Sequence, residues 1–219
     1  MNESAVRFED EVTKVKKESS KYYYVYGMQF EKDRVYTHED FMNLPEDMRV
    51  ELIDGVFYEM YPEDPITGMS APKRVHQKLV TTLLRRIGNY IEDNGGSCEV
   101  YPAPFEVRVK ADNKNTVEPD ISVICDPSKL TDEGCMGAPD WIIEIVSPSN
   151  PGNDYIRKLN LYRESGVREY WIIDPVKMKI SVYEFEKGSS SPQEYTFEDK
   201  IKAGIYDDLE IDFSGIDLG

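Results

Sequence analysis

Between Trp141 and Ser147 the chain reads W-I-I-E-I-V-S, and this run constrains the fold more than any other. Short apolar runs rich in β-branched residues suit a strand in the interior of a sheet. Glu144 interrupts it. A carboxylate taken out of water without a partner costs roughly several kcal/mol even after the protein relaxes. Either a cation waits for Glu144, or the strand is less buried than its neighbours suggest.

The surrounding pattern places this strand in a mixed sheet. Residues 1–33 alternate charges and then give K-Y-Y-Y-V-Y-G-M-Q-F, read as an extension with an added helix and strand. Thr37, with Asp40 three residues on, predicts a capping box opening a short helix that Pro45 ends. Asp54-Gly55 between two apolar runs predicts a hairpin. Val75, Leu79, Leu83, Ile87 and Tyr90 recur at helical spacing, with Ser70 and Pro72 suited to the start of that helix and Gly95-Gly96 to its stop. Strands are expected in C-E-V-Y-P-A-P-F-E-V-R-V-K, V-E-P-D-I-S-V-I-C and D-W-I-I-E-I-V-S. Asn150-Pro151 should open a second helix through D-Y-I-R-K-L-N-L-Y-R-E-S, with Gly166 beyond its end. E-Y-W-I-I-D-P and K-I-S-V-Y-E-F-E follow as strands, and D-L-E-I-D-F as a last one. Helix, three strands, helix and strand in that order predict an α/β fold, a mixed sheet with a helix on each face.

Composition narrows the setting. The 219 residues suit one domain with extensions, and 40% hydrophobic residues are enough for a core. The charged start lacks a signal-peptide core, and no apolar stretch approaches the ~18 residues of a membrane-spanning helix. Cys98, Cys125 and Cys135 are an odd, scattered set, read as reduced thiols of a cytoplasmic protein. Net charge is −16, which argues against a large phosphate-binding surface. Ten acids against three lysines lie from Glu184 onward, so the middle of the chain is much less acidic. That tail is expected to be solvated or to pack against a partner subunit.

Asp120, after Pro119, shares a strand face with Ser122 and Ile124, and Glu144 shares one with Ile142 and Val146. A loop of about a dozen residues joins the two strands, which makes them expected neighbours. If the two faces coincide, the carboxylates converge and repel unless a cation or proton intervenes. Magnesium takes one or two carboxylates plus water and substrate phosphate, so such a site points to phosphodiester cleavage. Asp154, Lys158 and Tyr162 are four residues apart on one side of the following helix, and the Lys158 ammonium could reach Glu144. There it could position an attacking water or hold developing negative charge.

From Tyr36 in Y-T-H-E-D-F-M-N-L-P-E-D-M-R-V-E-L-I-D-G to the end, the sequence resembles the Uma-type restriction endonucleases of the PD-(D/E)XK nuclease superfamily. The run P-D, E-x-V-S-P-S, D-x-x-x-K-x-x-x-Y carries the likeness. The resemblance implies a restriction-endonuclease-like core over residues 34–219, with residues 1–33 as an extension. It implies Asp120 and Glu144 as ligands of Mg2+ (or Mn2+), the Ile145 backbone carbonyl as a third, and Glu51 as a further acidic residue acting from the rim. One departure stands out: where the superfamily pattern E-x-K puts lysine, this chain has Val146, and the family moves the lysine to the helix, here Lys158.

Each residue also has a plainer role open to it. Asp120 could be a surface carboxylate at a strand start, Glu144 an ion-pair partner of Lys158 or an arginine, Lys158 a helix-edge lysine, and Glu51 a flank of the hairpin. His76 reads as a packed, hydrogen-bonded histidine rather than a general base. Arg74, Lys78 and Arg85 read as a solvated helix back, and the tyrosine-rich start as an edge strand or dimer contact. The expectation is a cytoplasmic magnesium-dependent endonuclease acting on DNA, and a homodimer by analogy with restriction enzymes. The competing class is a non-catalytic binding or inhibitory module with the same fold and an acidic surface.

Overall fold

The structure, a computed structural model, describes residues 21–60, 73–147 and 153–218. Of the helix and strand expected in residues 1–33, the described part is a hairpin, β1 (Tyr22–Val25) and β2 (Met28–Glu31). Residues 1–20 lie outside the described residues. Thr37 caps α1 (His38–Met42) through the reciprocal box with Asp40 that the spacing predicts. The hairpin of β3 (Val50–Ile53) and β4 (Val56–Glu59) turns through Asp54 at φ 50° and Gly55 at φ 76°. Two consecutive positive φ values define the turn that Asp-Gly favours. Phe30, Tyr36, Leu52 and Phe57 bury together and dock the first hairpin on the second.

The next elements are α2 (Arg74–Asp93), β5 (Glu99–Pro102), β6 (Val107–Arg108), β7 (Ile121–Ile124), β8 (Leu130–Thr131), β9 (Gly134–Met136) and β10 (Trp141–Ile145). After them come α3 (Asn153–Ser165), β11 (Glu169–Asp174), β12 (Lys179–Glu184), β13 (Gln193–Thr196), β14 (Lys200–Lys202) and β15 (Glu210–Asp212). The positions expected to start the two long helices, Ser70 and Pro72 for α2 and Asn150-Pro151 for α3, lie outside the described residues. Among the described residues, no helix is long and apolar enough to cross a membrane.

The central sheet has the order β13-β12-β11-β10-β7-β5. Only β10 and β11 pair in parallel, and α3 is the crossover between them. Strand alternation then sorts the side chains. Trp141, Ile143 and Ile145 face α2, where the stripe Leu79, Leu83, Ile87 and Ile91 meets them. Ile142 faces the other way, toward Leu161 and Tyr162 of α3. The expected helix on each face is therefore present.

Two sequence expectations need correction. The stretch from Cys98 to Lys110 is not one strand: Pro104 has no N–H for a ladder, and β6 leaves for a small sheet with β9 and β8. The acidic C-terminal segment sends Ile201, Ile211 and Phe213 into the core beneath the sheet, while Glu198, Asp207, Asp208 and Glu210 stay exposed to solvent. Not all three cysteines are thiols: Cys98 and Cys125 form a disulfide, and Cys135 alone is free. Antiparallel pairing of Glu99 with Ile124 sets those two cysteines side by side across 27 residues of sequence.

Candidate active site

Glu144 is the fourth residue of β10 and points with Ile142 toward α3, with Ile172 of β11 as its register partner. It is 6% exposed. The cation that the sequence demanded is Lys158, itself 6% exposed. Its Nζ lies 3.0 Å from Glu144 Oε1 and 2.9 Å from Glu51 Oε1. One turn along α3, the Tyr162 hydroxyl donates to the same Glu144 oxygen at 2.8 Å. The side chain of Asp154, expected on this side of the helix, lies outside the described residues.

Glu51 departs from expectation. It sits in β3 at 3% exposure, inside the cluster and not on its rim. Its Oε1 also accepts the Glu118 N–H at 3.2 Å, which ties the N-terminal hairpin to the chain leading into β7. The hairpin register puts Glu51 on the face opposite Leu52, and Leu52 fills the aromatic cluster, so Glu51 has to turn to the sheet.

Asp120 immediately precedes β7. Ser122 is the register partner of Ile142, so the Asp120 and Glu144 faces coincide. Beyond the last paired residues, Ile143 and Ile121, the Asp120 side chain takes over: its Oδ2 accepts the Ile145 N–H at 2.7 Å. The same oxygen meets His76 Nε2 at 3.1 Å. Ile145 turns its side chain into the core under α2.

Two carboxylates thus share one ammonium, with the Asp120 charge close enough to act on Glu144, and the proton affinities respond. Burial pushes the Glu144 carboxyl up to about 8, and the charges of Asp120 and Glu51 add to the shift while Lys158 opposes it. Burial holds the Tyr162 hydroxyl far above its usual range, so it stays a neutral donor. Glu118 is raised by burial too, offset by Arg49, which pairs with it at 2.6 Å.

The carboxylates are tied in the same way. Glu144 takes both of its donors on Oε1 and Asp120 takes both on Oδ2, and no described residue donates to Glu144 Oε2 or Asp120 Oδ1. Among the described residues, no three His, Cys, Asp or Glu side chains form a metal-holding group. The donor set fits an oxygen-seeking ion that takes one or two carboxylates and completes its shell with water and backbone oxygen. It does not fit an ion needing three protein side chains.

Residues 38–214 match the sequence family described as "Uma2: Putative restriction endonuclease". The chain belongs to this family. The mixed sheet with a helix on each face is restriction-endonuclease-like, and it is similar to the crystal structure of a "putative nuclease belonging to DUF820" from Anabaena variabilis. That similarity has a TM-score of 0.64 at 19% identity, over 82% of this chain and 96% of the other. A Synechocystis sp. relative, "Uncharacterized protein slr1290", is 24% identical over 124 residues, 56% of this chain. The chain spans 64% of the length of that curated relative. In this Uma2 member the two residues after Glu144 are Ile145 and Val146, and among the described residues the lysine contacting Glu144 comes from α3.

Sequence reading missed two neighbours of the site. His76 was read as a packed histidine, which it is, but its partner was not foreseen. Tyr162 was placed on the right side of the helix without a role, although its fourfold spacing from Lys158 was the signal for a shared target.

Proposed function

We propose that this chain is a magnesium-dependent endonuclease that hydrolyses phosphodiester bonds, with DNA as substrate. Asp120, Glu144 and the Ile145 carbonyl would hold the ion, Mg2+ or Mn2+ in its place. When bound, the ion supplies Lewis-acid stabilisation of negative charge on a phosphate and makes a nearby water easier to deprotonate.

The remaining work falls to the chain. Tyr162 and Lys158 hold Glu144 by one oxygen and so orient the other. Lys158, kept in place by Glu51, offers its ammonium to charge developing on the substrate in a site with little water to screen it. Ile145 N–H fixes Asp120 against β10, which keeps both carboxylates on one sheet face.

The observation that carries this reading is the burial of Glu51, Glu144 and Lys158 together, with Asp120 beside them, in a member of a restriction endonuclease family. A fold needing only stability gains little from such a cluster, because well-packed apolar residues are often as good or better. Cleavage of supercoiled plasmid DNA with Mg2+ or Mn2+ tests it: the wild type should nick and linearise the plasmid, and Glu144→Gln should not. The net charge of −16 favours the second reading, a non-catalytic module with a basic partner. Plasmid and RNA both left intact by a protein that binds the ion would select that reading. Homodimerisation belongs to the nuclease reading as the means of cutting both strands.

A further inference from the structure

We infer that His76 is a positioning residue for Asp120, selecting which carboxylate oxygen Asp120 turns toward Glu144. The inference rests on the proposed metal site and adds a residue to it. His76 lies in the first turn of α2 and is 8% exposed, so it is part of the packed helix face and not a surface group.

An aspartate carboxylate held by one donor still turns easily, because its terminal torsion is broad and twofold. Asp120 is held by two donors on a single oxygen, from two different elements. Ile145 N–H reaches Oδ2 from β10 at 2.7 Å, and His76 Nε2 reaches it from α2 at 3.1 Å. The carboxylate accepts, so the hydrogen of this contact is on Nε2. With Oδ2 saturated from both sides, Oδ1 is the oxygen left to face a cation. Glu144 shows the same arrangement, with Lys158 and Tyr162 on Oε1.

The other imidazole nitrogen supplies an independent argument. His76 Nδ1 is buried and has no hydrogen-bond partner among the described residues. A buried polar atom left unpaired lowers stability in either form of the ring. Leu79 and Leu83 continue the same stripe, and a leucine at position 76 would extend it without that cost. Packing alone favours an apolar side chain at this position, and the partner of the imidazole among the described residues is a candidate metal ligand.

The test compares full-length wild type, His76→Leu and His76→Gln, whose amide can donate from nearly the same place as Nε2. Free Mn2+ is followed by electron paramagnetic resonance during titration, and urea unfolding is measured in the presence of chelator. His76→Leu should match or exceed wild-type stability and bind Mn2+ about 10- to 100-fold more weakly, the range for removing a residue that orients a ligand. His76→Gln should recover most of that affinity. A purely structural histidine would instead lose stability in both variants with no separate effect on the ion. Wild-type affinity in His76→Leu overturns the inference and spares the metal site. A His76→Leu protein that fails to fold, or a folded His76→Gln protein as weak as His76→Leu, overturns it as well. Wild type that binds no Mn2+ overturns the metal site and this inference with it.

Discussion

Replacing Glu144 by glutamine should flatten the pH dependence of stability in metal-free protein. The Glu144 carboxyl is raised from 4.5 to about 8, first by burial and then by Asp120 and Glu51. A gap of that size corresponds to something on the order of 4–5 kcal/mol between the two protonation states. The folded carboxyl ionises at higher pH than the unfolded one, so between those values the folded protein keeps a proton that the unfolded chain has released. Its contribution is fully present below the unfolded value and is lost as pH rises through about 8. Glutamine has the same shape, never ionises, and still accepts from Lys158 Nζ and Tyr162 Oη through its carbonyl oxygen. Urea unfolding with chelator, from about pH 5 to about pH 9, should therefore show wild type losing a few kcal/mol relative to Glu144→Gln. Because other titrating groups are common to both proteins, the difference between the curves isolates this cluster. Parallel curves, or a wild type that gains on the variant with rising pH, would refute the buried, proton-retaining glutamate.

The other expectations concern the same cluster and the disulfide. Lys158→Met removes the ammonium that Glu51 and Glu144 share, and urea unfolding near neutral pH should show a loss of about 3–5 kcal/mol. If Lys158 also serves the chemistry, the folded variant should keep Mn2+ binding and lose plasmid cleavage, and full cleavage by Lys158→Met would end that role. Thermal stabilisation by Mn2+ should weaken steeply as pH falls from about 8 to about 5, because protons compete for the same oxygens. Asp120→Asn should weaken the metal effect and bring Glu144 down from its raised value, since the Asp120 charge contributes to that rise; an unchanged metal profile would mean the two carboxylates share no site. Alkylation of denatured, unreduced protein should modify Cys135 alone, and three modified cysteines in mass spectrometry would remove the Cys98–Cys125 bond.

What could be read from the sequence follows the range of the interactions. Local rules placed the Asp54-Gly55 turn, the Thr37 cap and the stripe of α2, because each depends on residues within a turn or two. Strand alternation was enough to put Asp120 and Glu144 on one face, given only that β7 and β10 are neighbours. Helical spacing brought Lys158 toward Glu144 for the same reason. The failures at the site and the disulfide are long-range. Cys98 and Cys125 are partners only because β5 lies beside β7. Glu51 is buried because Leu52 is taken up by an aromatic cluster on the other face of the hairpin, and no pattern inside E-L-I-D-G announces that. His76 meets Asp120 because of where the start of α2 sits on the sheet, a packing fact with no sequence period. Short polar strands such as β13 and β14 carry too little apolar alternation to be seen at all.

The most direct measurement is anomalous diffraction from crystals soaked in Mn2+ at neutral or mildly alkaline pH. The account predicts a manganese peak between Asp120 and Glu144, close to the Ile145 carbonyl, and its loss in Glu144→Gln crystals. Manganese bound only elsewhere, with Lys158 still bridging Glu144 and Glu51 and Asp120 unchanged, would make the cluster a structural ion network and contradict the metal-dependent nuclease.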